Sequence, residues 1–270
     1  MKRYNLSHRL IIGDSQKMPE IEDSSIGLVV TSPPYYKMRG EMEYKDFNEY
    51  MNIMENVFRE VYRVLKYGRV CVVNVSNYME DGVRYPIPAY ITLMLLKIGF
   101  TFMEDIDWIK PEGFGGAGAN RIVHIHNKPF PFYYYPSWIR ESIIVVSKGK
   151  MCRPPYDLPC MVESEINMNN FKDYLTDVWR ISPDTNNEHC ATFPLILPHN
   201  IITFYSYVSD IVLDPFVGSG TTMLEARKLR RSSVIIDINK KYIPLIKKKV
   251  NWGQNSFSDN IEYELIIRGE

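Results

Sequence analysis

Two short stretches combine residue types that could hold and transform a small chemical group. The first is Leu28-Val-Val-Thr-Ser-Pro-Pro-Tyr-Tyr36. Its apolar start reads as a buried strand, and two consecutive prolines stiffen the exit from that strand. Each proline also pushes the residue before it into an extended conformation. Ser32, Pro33, Pro34 and Tyr35 then form a rigid bracket. The Ser32 hydroxyl and the Pro33 carbonyl are fixed acceptors, and the Tyr35 ring is a flat surface beside them. Two acceptors and one aromatic face suit an amino group on a planar ring. A Pro-Pro-x-Tyr ligand for a WW domain is the competing reading. It needs an exposed, disordered segment, whereas this motif abuts a buried strand.

The second stretch, Ile211-Val-Leu-Asp-Pro-Phe-Val-Gly-Ser-Gly-Thr-Thr222, reads as strand, sharp turn and helix. Gly218 and Gly220 permit backbone angles that side chains forbid and let a ligand approach the main chain. The helix that follows presents free N–H groups at its start. Asp214, at the carboxyl end of its strand, is placed to meet a positive group. A second strand ends at Asp237, where an acid commonly bonds ribose hydroxyls. Together these point to an adenosine-containing cofactor. No lysine follows the glycines, so a P-loop does not fit, and the spacing is not the G-x-G-x-x-G of nicotinamide sites. An ordinary glycine turn capping a helix is the plain alternative.

Elements able to position these motifs are visible along the 270 residues. Apolar runs at Leu10–Ile12, Ile26–Val30, Val70–Val75, Ile143–Val146, Ile211–Leu213 and Val234–Ile236 read as buried parallel strands. Helical patterns lie between them. The clearest runs from Asp46 to Lys66, with an apolar face, a capping box from Asp46 and Glu49, and Gly68 after its end. Others are expected at Pro88–Ile98, Pro198–Val208, Thr221–Leu229 and Ile243–Val250. The alternation predicts an α/β fold, a doubly wound, mostly parallel sheet with helices on both faces. Residues 111–137 and 151–193 are rich in Gly, Pro, Asn and aromatics without a clear period. Loops that long are usually functional or disordered.

Composition sets further bounds. Thirty-two Lys and Arg balance 32 Asp and Glu, 45% of residues are hydrophobic and 24% are charged. This is ordinary globular composition, and it argues against a polybasic nucleic-acid binder without excluding a local basic groove. Cys71, Cys152, Cys160 and Cys190 form no C-x-x-C pair, which suggests reduced thiols and no zinc ribbon. No signal peptide or bilayer-length apolar run is visible, so a soluble, cytoplasmic protein is expected.

Thr31-Ser-Pro-Pro-Tyr35 followed by Asp214-Pro-Phe-Val-Gly-Ser-Gly-Thr-Thr222 resembles the amino-methyltransferases of DNA. The catalytic motif precedes the cofactor motif, the permuted order of the beta group. Gly13-Asp14-Ser15 resembles that family's adenine-contacting acidic loop, and Arg59-Glu-Val-Tyr-Arg-Val-Leu-Lys66 the helix behind the catalytic strand. Asp177-Val-Trp179 and Ala191-Thr-Phe-Pro194 resemble the segment leading into the cofactor motif.

The resemblance implies a seven-stranded methyltransferase sheet, in a single catalytic domain over residues 1–270, with S-adenosylmethionine as methyl donor. Asp214 would meet the methionine amino group, and Phe216, Gly218 and Gly220 would shape the pocket. Ser219 and Thr221 belong to the same cofactor loop. Asp237 would hold the ribose and Asp14 the adenine amine, with Phe193 as a further contact. The family's strand order would bring Asp214 beside Ser32. A Ser-Pro-Pro-Tyr bracket is associated with cytosine N4, and Asp- or Asn-Pro-Pro-Tyr with adenine N6. The target would therefore be the N4 amine of a cytosine flipped out of double-stranded DNA, with adenine N6 as the alternative. A cognate restriction endonuclease and a homodimer are further implications.

DNA contacts are expected in the basic, aromatic stretch around Arg121, Lys128, Tyr133 and Tyr134. Residues 111–137 and 151–193 would then form inserted target-recognition segments. The competing view makes the aromatics core and the basic groups a solvated face. His124 and His126 lack a nearby third ligand, so no metal site is expected. A non-catalytic nucleic-acid-binding module of the same fold is the rival from another class. A methyltransferase acting on RNA or protein is a second rival.

Overall fold

The computed structural model describes residues 3–37, 44–80, 82–111, 130–131, 138–152, 158–182, 194–254 and 260–269. Eleven strands are present among them: β1 (Asn5–Ile12), β2 (Ile26–Thr31), β3 (Leu65–Val75), β4 (Tyr78–Glu80), β5 (Val83–Tyr85), β6 (Thr101–Ile109), β7 (Arg140–Ser147), β8 (Val178–Arg180), β9 (Ile211–Asp214), β10 (Ser232–Asp237) and β11 (Asn260–Ile267). The helices are α1 (Phe47–Val64), α2 (Ile87–Ile98), α3 (Leu158–Glu163), α4 (Ile196–Tyr205), α5 (Thr221–Lys228) and α6 (Ile243–Lys249).

Nine strands form one sheet in the order β11-β1-β10-β9-β2-β3-β7-β6-β8, while β4 and β5 make a separate hairpin. Neighbours pair in parallel except at β3–β7 and β7–β6. The doubly wound sheet is thus present, extended to nine strands. The chain leaves β2 towards β3 and leaves β9 the other way, towards β10. Neighbouring strands that lead away in opposite directions open a crevice beyond their carboxyl ends, where ligands of such sheets bind.

The central strands are buried on both faces, which is why they read as continuous apolar runs. Val29, Cys71 and Val73 pack into one core layer with α1 and α2. Leu28, Val30, Val70 and Val72 pack into the other, with Leu197, Ile201 and Ile202 of α4. Helix α1 buries Tyr50, Met54, Val57, Phe58, Val61 and Val64 along one stripe. Its start is capped as expected: Asp46 accepts from the Glu49 N–H at 2.9 Å. The Glu49 carboxylate reaches back to the N–H of Lys45, one residue before the cap.

Several boundaries differ from expectation. Helix α1 stops at Val64, and β3 begins at the next residue. Gly68 is therefore not a helix stop. It sits inside β3 with φ +74°, and a Cβ there would lie 2.2 Å from Cys152 Sγ. The parallel register between β2 and β3 shifts at this point, between Ile26 and Leu28. Helix α4 starts two residues earlier than its Pro198 signal and ends at Tyr205. Residues 151–193 are not a uniform loop. They contain α3, a 3₁₀ segment at Met168–Tyr174 and β8, whose Trp179 is buried against β6. Each piece is too short to impose a period. Most of residues 111–137 lies outside the described residues.

At the amino ends of the central strands, Arg69 holds Asp210 through two bonds of 2.6 and 2.7 Å, both side chains buried. No helix among the described residues is long and apolar enough to cross a membrane.

Candidate active site

The two sequence motifs meet at the carboxyl ends of β2 and β9. These strands pair directly, with Leu28 opposite Val212 and Val29 opposite Leu213. The last residue of each then comes together: Thr31 Oγ1 donates to Asp214 Oδ1 at 2.7 Å. Ser32 thus leaves the sheet one residue from a side chain that bonds Asp214, although the two positions are far apart in sequence.

Asp214 is 1% exposed. Besides Thr31 it accepts from Thr222 Oγ1 at 2.6 Å and from the Phe216 N–H at 3.1 Å. Among the described residues no lysine or arginine pairs with it. Burial pushes its carboxyl up to about 6, and the three hydrogen bonds oppose the rise. A desolvated carboxylate held by neutral donors is a site for a cation from outside. Asp237 accepts from the Gly218 N–H at 2.9 Å and the Asn239 N–H at 2.8 Å. Burial raises its carboxyl too, against those backbone bonds. Each of its oxygens keeps acceptor capacity for a hydroxyl.

The glycine loop joins these acids. Gly218 has φ +52°, and a Cβ built there would meet nothing within 4 Å, so the loop borders open space. Gly220 has φ +86° at the start of α5, where a Cβ would touch Ile246 at 3.2 Å. Phe216 is half-buried against the core. The Ser219 and Thr221 hydroxyls, expected at a cofactor, are engaged by Lys249 Nζ at 2.8 and 2.9 Å. They brace the loop onto the end of α6, leaving its backbone as the ligand-facing candidate.

The Asp14 loop closes the third side. Gly13 N–H bonds the Asp237 carbonyl at 2.9 Å, and Ser15 Oγ donates to the Pro215 carbonyl at 2.6 Å. Asp14 itself is exposed and accepts from the backbone and side chain of Gln16 at 2.9 and 2.8 Å. Loops after β1, β9 and β10 are therefore one connected rim, with the β2 exit beside it.

In the bracket, Ser32, Pro34 and Tyr35 are half-buried and Pro33 is buried. Tyr35 Oη donates to Glu141 Oε2 at 2.9 Å. Burial and the adjacent Glu141 carboxylate push the phenol well above its ordinary range, so it stays protonated. Sequence reasoning misses this partner, since Glu141 belongs to no motif and lies 106 positions from Tyr35. Asn74 escapes it as well. Its Nδ2 donates to Glu141 at 2.8 Å, and its Oδ1 is buried without a hydrogen-bond partner among the described residues. Both residues border apolar strand runs, which is the only available signal.

Phe193, Arg121, Lys128, Tyr133 and Tyr134 lie outside the described residues, as do His124 and His126. Among the described residues no cluster of three or more His, Cys, Asp or Glu could hold a metal ion.

Comparison with known proteins bears on the whole arrangement. A family model described as DNA methylase, of the N6/N4 methyltransferases, matches residues 26–248. The Type II methyltransferase M.MjaI of Methanocaldococcus jannaschii is 30% identical, over 97% of this chain and 97% of its own. Among solved structures, the DNA modification methylase TTHA0409 of Thermus thermophilus, complexed with S-adenosyl-L-methionine, superposes with a TM-score of 0.77 at 25% identity. That alignment covers 97% of this chain and 99% of the other. The PvuII DNA methyltransferase (cytosine-N4-specific) shares the fold, with a TM-score of 0.70 over 94% of this chain and 90% of its own at 24% identity. A family match that spans both motifs, joined here across β2 and β9, together with a relative aligned over nearly its full length, makes this chain a member of the N6/N4 DNA methylase family.

Proposed function

We propose that this methylase transfers a methyl group from S-adenosylmethionine to the exocyclic N4 amine of a cytosine in double-stranded DNA. The observation that carries the reading is the 2.7 Å bond from Thr31 to Asp214, which sets an amine-binding bracket beside a cation-accepting carboxylate. The cofactor fits the residues present. Asp214 is an uncompensated buried acid suited to the methionine ammonium. Asp237 has spare acceptor capacity for the ribose, and Asp14 is exposed for the adenine amine. Gly218 borders open space beside Asp237, and Phe216, Gly220 and Phe193 belong to the same reading.

When bound, S-adenosylmethionine supplies a methyl group on a positively charged sulfur. A base amine is a poor nucleophile because its lone pair is delocalised into the ring. The Ser32 hydroxyl and Pro33 carbonyl accept its two hydrogens and draw the nitrogen towards tetrahedral geometry. Pro34 keeps the bracket rigid, and Tyr35 stacks on the flipped base. The N–CH3 bond would form as the S–CH3 bond breaks, with a neutral thioether leaving and one N–H proton passing from the methylated amine through the bracket's acceptors to solvent; this is positioning and electrostatic preorganisation, without a covalent enzyme intermediate. Ser32 at the first bracket position supports cytosine over adenine.

The same reading makes residues 1–270 one catalytic domain, with target recognition in residues 111–137 and 151–193. A cognate endonuclease and self-association are its implied partners. Incubation of DNA with the protein and labelled cofactor, followed by mass spectrometry of the nucleosides, tests the core of it. N4-methylcytosine is the expected product. Only N6-methyladenine overturns the choice of base, and label in RNA or protein instead of DNA overturns the substrate. Replacing Arg121 and Lys128 by alanine should weaken DNA binding and reduce its salt slope by roughly 0.9 per lost phosphate contact. Cofactor affinity should stay unchanged, and its loss would count against the DNA assignment.

A further inference from the structure

Glu141 lies near the start of β7, 5% exposed, beside Arg140, which pairs with Asp107, and ahead of the apolar run Ile143–Val146. Three elements deliver polar groups to it. Asn74 near the end of β3 donates to Oε2 at 2.8 Å. Lys110, just beyond β6, pairs with Oε1. Tyr35, beyond β2, donates to Oε2 at 2.9 Å. The Lys110 ammonium also sits 5.0 Å from the centre of the Trp108 ring.

Stability does not account for this cluster. A buried ion pair is costly to desolvate, and well-packed apolar residues are often as good or better in its place. The carboxylate also makes a bond that leaves the pair, to the far end of the Tyr35 ring. A tyrosine at a strand exit can otherwise turn about two side-chain torsions. A charge-assisted bond at its hydroxyl pins the ring plane.

We propose that Glu141 is a positioning residue for methyl transfer: it fixes the Tyr35 ring in the plane on which the flipped base stacks, and Lys110 and Asn74 hold Glu141 in place. Glu141 itself touches neither base nor cofactor. The inference rests on the assignment of Ser32–Tyr35 as the target-amine bracket. The raised phenol pKa fits it, because the protonated hydroxyl donates to Glu141 while it also hydrogen-bonds the Ser32 side chain.

Steady-state methyl transfer and cofactor binding on a small set of variants test it. Glu141→Ala should lower kcat about 100-fold, the scale of a small misplacement at a reacting centre. Cofactor Kd should stay within about twofold, since that site is formed by other loops. The double variant Glu141→Gln with Lys110→Met removes both charges and keeps an acceptor for the phenol. It should recover at least about tenfold of the lost rate, which mere loss of packing would not allow. Tyr35→Phe should lower kcat, and adding Glu141→Gln to it should cost nothing more, the non-additivity of two residues acting through one bond. Additive losses, or a folded Glu141→Ala protein with unchanged kcat, overturn the proposal. If Glu141→Ala fails to fold, the Glu141→Gln and Tyr35→Phe cycle decides alone. Ser32→Ala separates the two levels. Full activity in Ser32→Ala refutes the bracket itself, whereas its inactivity beside an active Glu141→Ala refutes only the positioning role.

Discussion

With Asp214 as the proposed partner of the cofactor's ammonium group, cofactor affinity should fall as the solution is acidified through about pH 6, because that carboxyl must then be ionised to bind. Burial carries this carboxyl from 3.8 to about 6, against donors from Thr222, Thr31 and the Phe216 N–H. That net rise corresponds to roughly 3 kcal/mol against the ionised form, part of which an incoming cation offsets. Below the shifted value, binding must expel a proton, so each further pH unit costs about tenfold in affinity. At about pH 5 some one-tenth of the protein is ionised, and Kd should be about tenfold weaker than on the neutral plateau. Folding stability runs the other way. The folded state holds this proton more tightly than the unfolded chain does. Its contribution is therefore present below 3.8 and lost as pH rises through about 6. Calorimetric titration of the cofactor at intervals between about pH 5 and 7 reads the first effect, and thermal melts of the free protein read the second. Thr31→Val removes one donor worth about 1 kcal/mol and should move the binding midpoint up by about 0.7 units. Asp214→Asn should bind about 10–100-fold more weakly, with a flat profile. A wild-type Kd that does not change over this range, or a slope that survives in Asp214→Asn, would refute the assignment of the titration to Asp214.

Three further outcomes follow from the geometry. Gly220→Ala must place a side chain at φ +86° against Ile246, so it should cost roughly 1–2 kcal/mol, seen as a lowered Tm. Gly218→Ala meets no atom within 4 Å and should melt closer to wild type while weakening cofactor binding, because its methyl enters the open space. Arg69→Ala takes the guanidinium away from the buried Asp210 carboxylate, and chemical denaturation should show a loss of about 3–5 kcal/mol with cofactor affinity retained in the folded fraction.

The sheet is legible in sequence where strands are buried on both faces, because runs such as Val70–Val75 need no alternation to interpret. Strands β6 and β11 escape for the opposite reason. Thr101–Ile109 carries Glu104, Asp105 and Asp107 among its apolar residues, and Asn260–Ile267 alternates glutamates with hydrophobics at the sheet edge. Half-solvated strands of this kind lack the continuous apolar run. The motif residues are legible because Pro-Pro and Gly-x-Gly constrain the backbone locally. What closes around them is not. Glu141 reaches Tyr35 across 106 positions, and Lys249 takes the hydroxyls of Ser219 and Thr221 across 30 and 28. Side-chain pairings at that separation leave no periodic trace.

The single bond from Thr31 to Asp214 also makes the two halves of the site thermodynamically linked. Thr31 immediately precedes Ser32–Tyr35, the proposed amine bracket, and in the same proposal Asp214 meets the cofactor's charge. Ionising Asp214 strengthens its hold on the Thr31 hydroxyl and so tightens the strand end from which Ser32 and Pro33 project. Coupling free energy is reciprocal. On the proposed assignment, a base seated in the bracket should change cofactor affinity by the same factor by which the cofactor changes affinity for the base. Any heterotropic coupling of that kind would run through a contact between two neighbouring strands, with no need for a moving domain.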